Sequence, residues 1–225
     1  MGQMAGYTAL AVLERSKRDE GGQRVRRYAV RHLHRWPLRT PYPDIAADVV
    51  RMYAQRPLSD STLLVDRTGV GAPVYDMVRD AEPKAWVIPV IMTGGSQVGR
   101  ADDGSRPVPK RDLAGTLQAL LGQRLLDVSP SLPLAETLAR EMQTFTVKIN
   151  IATGNESFEA WRERDHDDLV LAVAIACWYG ERTIGHDDVA QVIDTPRTTS
   201  SQDRLRPRPW TEAERRRPFP PARRW

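Results

Sequence analysis

The chain has 225 residues, one cysteine, and 33 Lys+Arg against 29 Asp+Glu, for a formal charge of +4. The length suits one domain of ordinary size with a tail, while one cysteine excludes a disulfide framework or a cysteine-rich zinc site and fits a reducing cytosol. The longest apolar run, residues 169–179, spans 11 residues, too few to cross a bilayer, and no basic-then-apolar signal pattern opens the chain, so a soluble intracellular protein is expected.

Residues 7–13 read as a mostly buried strand, ended by the charged, Gly-containing stretch 14–22, and residues 27–34 alternate as its antiparallel partner. Over 43–55, Ile45, Val49, Val50 and Tyr53 carry helical spacing, with Asp44 in the first turn. Residues 61–65 form a short apolar strand leading into Asp66-Arg67-Thr68-Gly69-Val70-Gly71. A short helix follows over 73–80, and 85–92 is another apolar strand, broken by Thr93-Gly94-Gly95. The polar, Gly- and Pro-rich stretch 97–109 reads as a mobile loop.

Two amphipathic helices come next, 110–122 with Leu113, Leu117, Leu120 and Leu121, and 134–145 with Leu138, Met142 and Phe145. Residues 146–152 and 157–161, separated by Thr153-Gly154-Asn155-Glu156, read as a hairpin, and 168–179 is a helix apolar on nearly all sides. Antiparallel strands feeding β-α-β crossovers predict an α/β fold, a mixed sheet with helices packed on both faces.

The last 30 residues, from Pro196, carry nine Arg, three acidic residues and six of the 17 prolines, a net +6 that leaves residues 1–195 at −2. Without apolar periodicity such a segment cannot bury enough surface to offset its ordering entropy. A domain over 1–185 and a disordered basic Arg/Pro-rich tail over 186–225 are therefore expected. The tail reads either as a flexible arm for phosphate backbones or as a solvated terminus.

Two acidic positions stand out. Asp66 ends a buried strand, where open α/β sheets place their ligand sites, and a buried lone carboxylate costs several kcal/mol unless paired or metal-bound. The alternative is a turn in which its side chain accepts a backbone N–H from Thr68 or Gly69. His166-Asp167-Asp168 opens the most apolar helix of the chain. One Asp there can cap the helix, but two adjacent ones repel unless a cation or the helix N-terminus holds them. Carboxylates from a strand end and a helix start suit Mg²⁺ or Mn²⁺ and phosphodiester hydrolysis.

The segments Leu64-Val65-Asp66-Arg67-Thr68-Gly69-Val70-Gly71 and His166-Asp167-Asp168-Leu169-Val170-Leu171-Ala172 together resemble the nuclease domain of phage large terminase subunits. That domain belongs to the ribonuclease H-like superfamily, beside Holliday-junction resolvases. The resemblance extends through Gly2-Gln3 with Tyr7-Thr8-Ala9-Leu10, Val108-Pro109-Lys110-Arg111-Asp112-Leu113 and Phe158-Glu159-Ala160-Trp161-Arg162-Glu163, over about residues 2–180.

It implies a ribonuclease H-like mixed sheet and a metal-dependent DNA endonuclease of phage or prophage DNA packaging, acting in the cytoplasm of a bacterial host. Asp66 and Asp168 would be catalytic metal ligands, with Asp167 a further one and water the nucleophile. A third family acid lies two residues before the Gly-Gln that corresponds to Gly2-Gln3, and so falls before Met1. A truncated first strand and impaired cutting are the resulting expectation, with a non-catalytic nucleic-acid-binding or structural remnant as the alternative. Double-stranded DNA is the implied partner, together with a separate packaging ATPase or a portal protein. No Gly-x-x-x-x-Gly-Lys-Ser/Thr motif occurs in this chain.

Basic candidates for DNA phosphate are Lys110 and Arg111, which open a helix after the loop, and Arg204, Arg206, Arg208, Arg215, Arg216 and Arg217 in the tail. Gly69-Val70-Gly71 lacks the third glycine of a dinucleotide fingerprint. His32 and His34, on one face of a strand, read as surface residues rather than ligands. Trp161, Trp178 and Tyr179 read as core aromatics, and Cys177 as a packed small side chain.

Overall fold

A computed structural model describes residues 7–20, 22–59, 61–83, 85–94, 101–151 and 167–183. Among them the elements run β1 (Ala9–Glu20), β2 (Gln23–Arg35), α1 (Tyr42–Tyr53), β3 (Thr62–Asp66), α2 (Ala72–Asp80), β4 (Trp86–Thr93), β5 (Arg106–Pro109), α3 (Lys110–Gly122), β6 (Leu126–Val128), α4 (Ala135–Ile151) and α5 (Asp168–Arg182). A 3-10 turn at Gly69–Gly71 precedes α2. The class is α/β, as expected. The strands form two three-stranded sheets, β1-β2-β6 and β3-β4-β5, where the sequence predicts one. The edge of β2 is taken by β6, a parallel partner of Tyr28–Val30 too short to show any periodicity.

The chain divides into two compact units. The first comprises Met1–Thr40, Met92–Ala101 and Pro107–Asp194, the second Pro41–Ile91, Asp102–Arg106 and Thr195–Trp225.

In the first unit β1 and β2 pair antiparallel with one irregularity: Leu13 faces Val30 but Val12 faces His32, so Arg31 is an extra residue. A bulge of this kind switches the in–out alternation of the strand that carries it. Tyr28, Val30, Leu33 and Arg35 consequently share one face with Arg15, Leu13, Ala11 and Ala9, while His32 and His34 lie on the other with Val12 and Leu10. The first face receives α5. Arg15 donates to the Gly180 carbonyl at 2.8 Å and the Tyr28 hydroxyl donates to Glu181 at 2.6 Å. Gly180 is required by this packing, because a Cβ there would sit 2.6 Å from Tyr28 Cε1. Leu169, Val170, Val173, Ala174, Cys177 and Trp178 of α5 are buried with Leu113 and Leu117 of α3 and Leu138 of α4, the all-round apolar helix its composition predicts.

The second unit is built from a β-α-β crossover. β3 and β4 pair in parallel, Leu63 opposite Val87 through Asp66 opposite Val90. Ile45, Ala46, Val49 and Tyr53 of α1 and Tyr75 and Val78 of α2 supply buried side chains. Burial raises the proton affinity of the Tyr53 hydroxyl.

Two expectations are corrected. Residues 146–151, taken as the first strand of a hairpin, continue α4 to Ile151. Extending an existing helix fixes one residue per new hydrogen bond, and that gain outweighs the strand preference of Thr146, Val147 and Ile149. The second predicted strand, 157–161, lies outside the described residues. The predicted loop 97–109 is structured at its end. Asp103 accepts the Ser105 N–H at 3.0 Å and the Ser105 hydroxyl at 2.6 Å, and Arg106–Pro109 forms β5. Those bonds, with the guanidinium of Arg67, hold the Asp103 carboxyl below its usual range.

Candidate functional site

Asp66 closes β3 opposite Val90, with the ladder continued by the Arg67 N–H donating to the Val90 carbonyl at 2.7 Å. Its Oδ1 accepts the Thr68 N–H at 2.8 Å, the local turn that one of its two readings anticipates. The glycines that follow serve the same turn. Gly69 has φ +57°, a conformation costly for other residues, and a Cβ on Gly71 would lie 1.9 Å from the Asp66 carbonyl oxygen. Chain reversal thus accounts for both glycines without a phosphate cradle. Arg67 donates to Asp103 at 2.8 Å and lies 5.3 Å from the centre of the Tyr75 ring.

The start of α5 is organised differently. Asp167 occupies the N-cap position but its side chain makes no cap bond. The N–H groups of Leu169 and Val170 donate instead to Glu141 Oε2, at 2.9 and 3.0 Å. Glu141 comes from α4, 28 residues before Leu169, and is 7% exposed. Its other oxygen, Oε1, pairs with Arg35 from β2, whose guanidinium also lies over the Tyr7 ring at 4.8 Å. A carboxylate at a helix N-terminus meets the positive end of the helix dipole and two otherwise orphaned donors. Burial nevertheless raises the Glu141 proton affinity. The Val170 N–H and Arg35 oppose that rise, and the neighbouring charge of Asp168 adds to it. Asp168, in the first turn, has its Oδ2 buried.

The sequence gives no reason to expect Glu141 as a functional group, yet a signal is present. Leu138, Glu141 and Phe145 stand at i, i+3 and i+7 and are all buried, so a carboxylate occupies the apolar stripe of α4. Such a residue needs a partner, and the missing information is where that partner lies.

Carboxylate oxygens are the hard donors that Mg²⁺ and Mn²⁺ take, so Asp66, Asp167 and Asp168 suit either ion in kind. Asp66 belongs to the second unit and Asp167 and Asp168 to the first. Among the described residues no group of three or more His, Cys, Asp or Glu side chains is placed to hold a metal.

Lys110 and Arg111 begin α3 as expected; Arg111 is exposed, with Nε 3.8 Å from Asp112 Oδ1. Asp112 also receives Arg182 of α5 at 3.1 Å. Arg204, Arg206, Arg208, Arg215, Arg216 and Arg217, with His166 and Trp161, lie outside the described residues. His32 and His34 are half-buried rather than surface groups. Their rings are near-parallel at 6.3 Å, His34 packs edge-on against the buried Trp36 at 4.5 Å, and burial lowers both proton affinities. Trp178 is a core aromatic as expected, Tyr179 is half-buried, and burial pushes the Cys177 thiol up to about 12. No helix among the described residues is long and apolar enough to cross a membrane.

No family model and no curated protein matches the chain. Among solved structures, a human cytomegalovirus terminase nuclease domain, soaked with Mn, is similar at 14% sequence identity and a TM-score of 0.41, over 83% of this chain and 87% of that one.

Proposed function

We propose that this chain is a terminase-like DNA nuclease module that hydrolyses phosphodiesters with Mg²⁺ or Mn²⁺, Asp168 and Asp66 being metal ligands and Asp167 a further one. The observation that carries this reading is the cap of α5. The ordinary explanation for acids at a helix start is capping, and here Glu141 makes those bonds. Two adjacent acids and a third carboxylate therefore meet at one helix start, a set of hard oxygen donors of the kind a divalent cation takes. The Asp-x-Thr-Gly-x-Gly strand end and the Asp-Asp-Leu-Val helix start add the sequence resemblance to that argument.

When bound, the metal supplies Lewis-acid stabilisation of charge on the phosphoryl oxygens. The chain supplies the rest. Asp168 and Asp167 hold their place on the first turn of α5, and Asp66 holds its place through the turn at Thr68. Lys110, Arg111 and the tail arginines 204, 206, 208, 215, 216 and 217 contact phosphates of double-stranded DNA, and the basic tail forms a segment separate from the 1–185 domain. A packaging ATPase or a portal protein is the proposed further partner, in the bacterial cytoplasm, for a module of phage or prophage origin.

A second reading, a nucleic-acid-binding module without catalysis, is favoured by the Asp66 carboxylate serving its own turn. Nicking of supercoiled plasmid in Mn²⁺ by the full chain decides between them. The nuclease reading expects weak nicking, well below that of an intact terminase nuclease, that is lost in Asp168→Asn. Cutting unchanged by Asp168→Asn sinks it, and absence of metal-dependent cutting with retained DNA binding selects the second reading.

A further inference from the structure

Among the described residues of the first unit a polar chain runs from Arg35 through Glu141 to the first turn of α5, and the metal chemistry proposed above does not use it. Glu141 is contributed by one helix, its cationic partner by a strand, and the two N–H groups it accepts by the first turn of another helix. Three elements far apart in sequence therefore meet at one carboxylate. The side chains of Arg35 and Glu141 are 14% and 5% exposed, so this is no surface ion pair of negligible worth. Removing charges of this kind from water is costly, and a simple N-cap made by Asp167 itself would satisfy the same donors.

The choice of a remote cap has one chemical effect. With Glu141 accepting the N–H groups of Leu169 and Val170, the turn that carries Asp167 and Asp168 is fixed from another helix.

We propose that Glu141, anchored by Arg35, is a positioning residue that fixes the first turn of α5 and so presents Asp168 and Asp167 to a divalent cation. The proposal rests on Asp168 being a metal ligand. Groups that hold a metal ligand in orientation are worth roughly 10–100-fold in metal affinity when removed.

Glu141→Ala is a poor test, because it strands the Arg35 charge and the protein can fail to fold. A matched pair avoids this. Arg35→Met with Glu141→Gln removes both charges but keeps a carbonyl acceptor facing the two N–H groups. Arg35→Met with Glu141→Met removes the same charges and the acceptor as well. Mn²⁺ binding to each full-length variant is read from the free-ion electron paramagnetic resonance signal, with amide hydrogen exchange at Leu169 and Val170 as the second readout.

The Gln variant should bind Mn²⁺ close to the unmodified chain. The Met variant should bind roughly 10-fold or more weakly, with faster exchange at the two amides. Equal Mn²⁺ affinity in the two variants overturns the positioning role while leaving Asp168 as a ligand. Equal affinity in the unmodified chain and Asp168→Asn overturns the metal-ligand reading itself, and the positioning role with it.

Discussion

Asp66 and Asp168 look alike as sequence, each an acid where a regular element meets a loop, but their surroundings are built in opposite ways. At Asp66 the turn is closed locally. The carboxylate accepts the N–H two residues on, Gly69 supplies the left-handed backbone, and Gly71 makes room against the Asp66 carbonyl. At the start of α5 the closure comes from a distance, since the N–H groups of Leu169 and Val170 go to Glu141 and the charge of Glu141 goes to Arg35. The difference teaches that an acidic motif has two parts, the acid and whatever closes the backbone around it, and only a local closure can be read from adjacent residues.

The comparison is broken most forcefully at its remote end. Glu141→Ala leaves the Arg35 guanidinium buried without its partner, and loss of one member of a buried pair costs about 3–5 kcal/mol. Denaturant unfolding should show that loss, and a change below about 1 kcal/mol would mean the pair contributes only as a surface pair does.

At the local end the largest effect belongs to glycine rather than to the acid. Gly71→Ala places a Cβ 1.9 Å from backbone that has no rotamer to escape through, and overpacking of that sort costs roughly 1–3 kcal/mol or more. A melting temperature equal to that of the unmodified chain would show that the turn rearranges freely. Asp66→Ala should cost less, about 1 kcal/mol for one side chain–backbone bond. Asp66→Asn, which keeps an oxygen acceptor for the Thr68 N–H, should cost less still. A larger loss in Asp66→Asn than in Asp66→Ala would mean that the turn bond is not what the carboxylate contributes.

The smallest effect is in pH. His32 and His34 both lie in the first unit. Both have proton affinities lowered from 6.5 by burial. The unfolded chain therefore binds more protons than the folded one below that pH. Stability is full above about 6.5 and is lost as pH falls through the lowered folded values. Amide exchange followed from pH 7 downwards should show faster opening in the β1–β2 sheet. An equal acceleration in the β3–β4 strands over the same range would assign the effect to other groups.

Legibility in the sequence follows the same division. The helices at 43–55, 110–122 and 168–179, and the strands ending at Asp66 and Met92, are found because their signals are periodic over a full element. β6 is three residues long and β5 has prolines at two of four positions, so neither carries a pattern. The extension of α4 is missed because β-branched residues at its end favour a strand locally while the helix already formed favours its own continuation. The Asp66 turn is legible in Asp-x-Thr-Gly, since its donor, acceptor and glycines are neighbours. Glu141 is legible only as an anomaly, a carboxylate on an apolar stripe. Its partners at positions 35, 169 and 170 are fixed by packing, which no spacing rule reports.

The extra residue at Arg31 reaches further than the strand that holds it. Positions before it and after it obey opposite parities, which is how Tyr28 and Arg35, an odd number of residues apart, can both face α5 and α4. Length and identity are therefore separate inheritances in this strand. A lineage that lost one residue between 30 and 33 would return to plain alternation with positions 28 and 35 still on one face, whereas one that kept the length but ironed out the bulge would turn position 35 away from Glu141. In a comparison of relatives, a single-residue gap at this point is therefore compatible with an unchanged start of α5 more than 130 residues downstream, while an unbulged strand of full length is not.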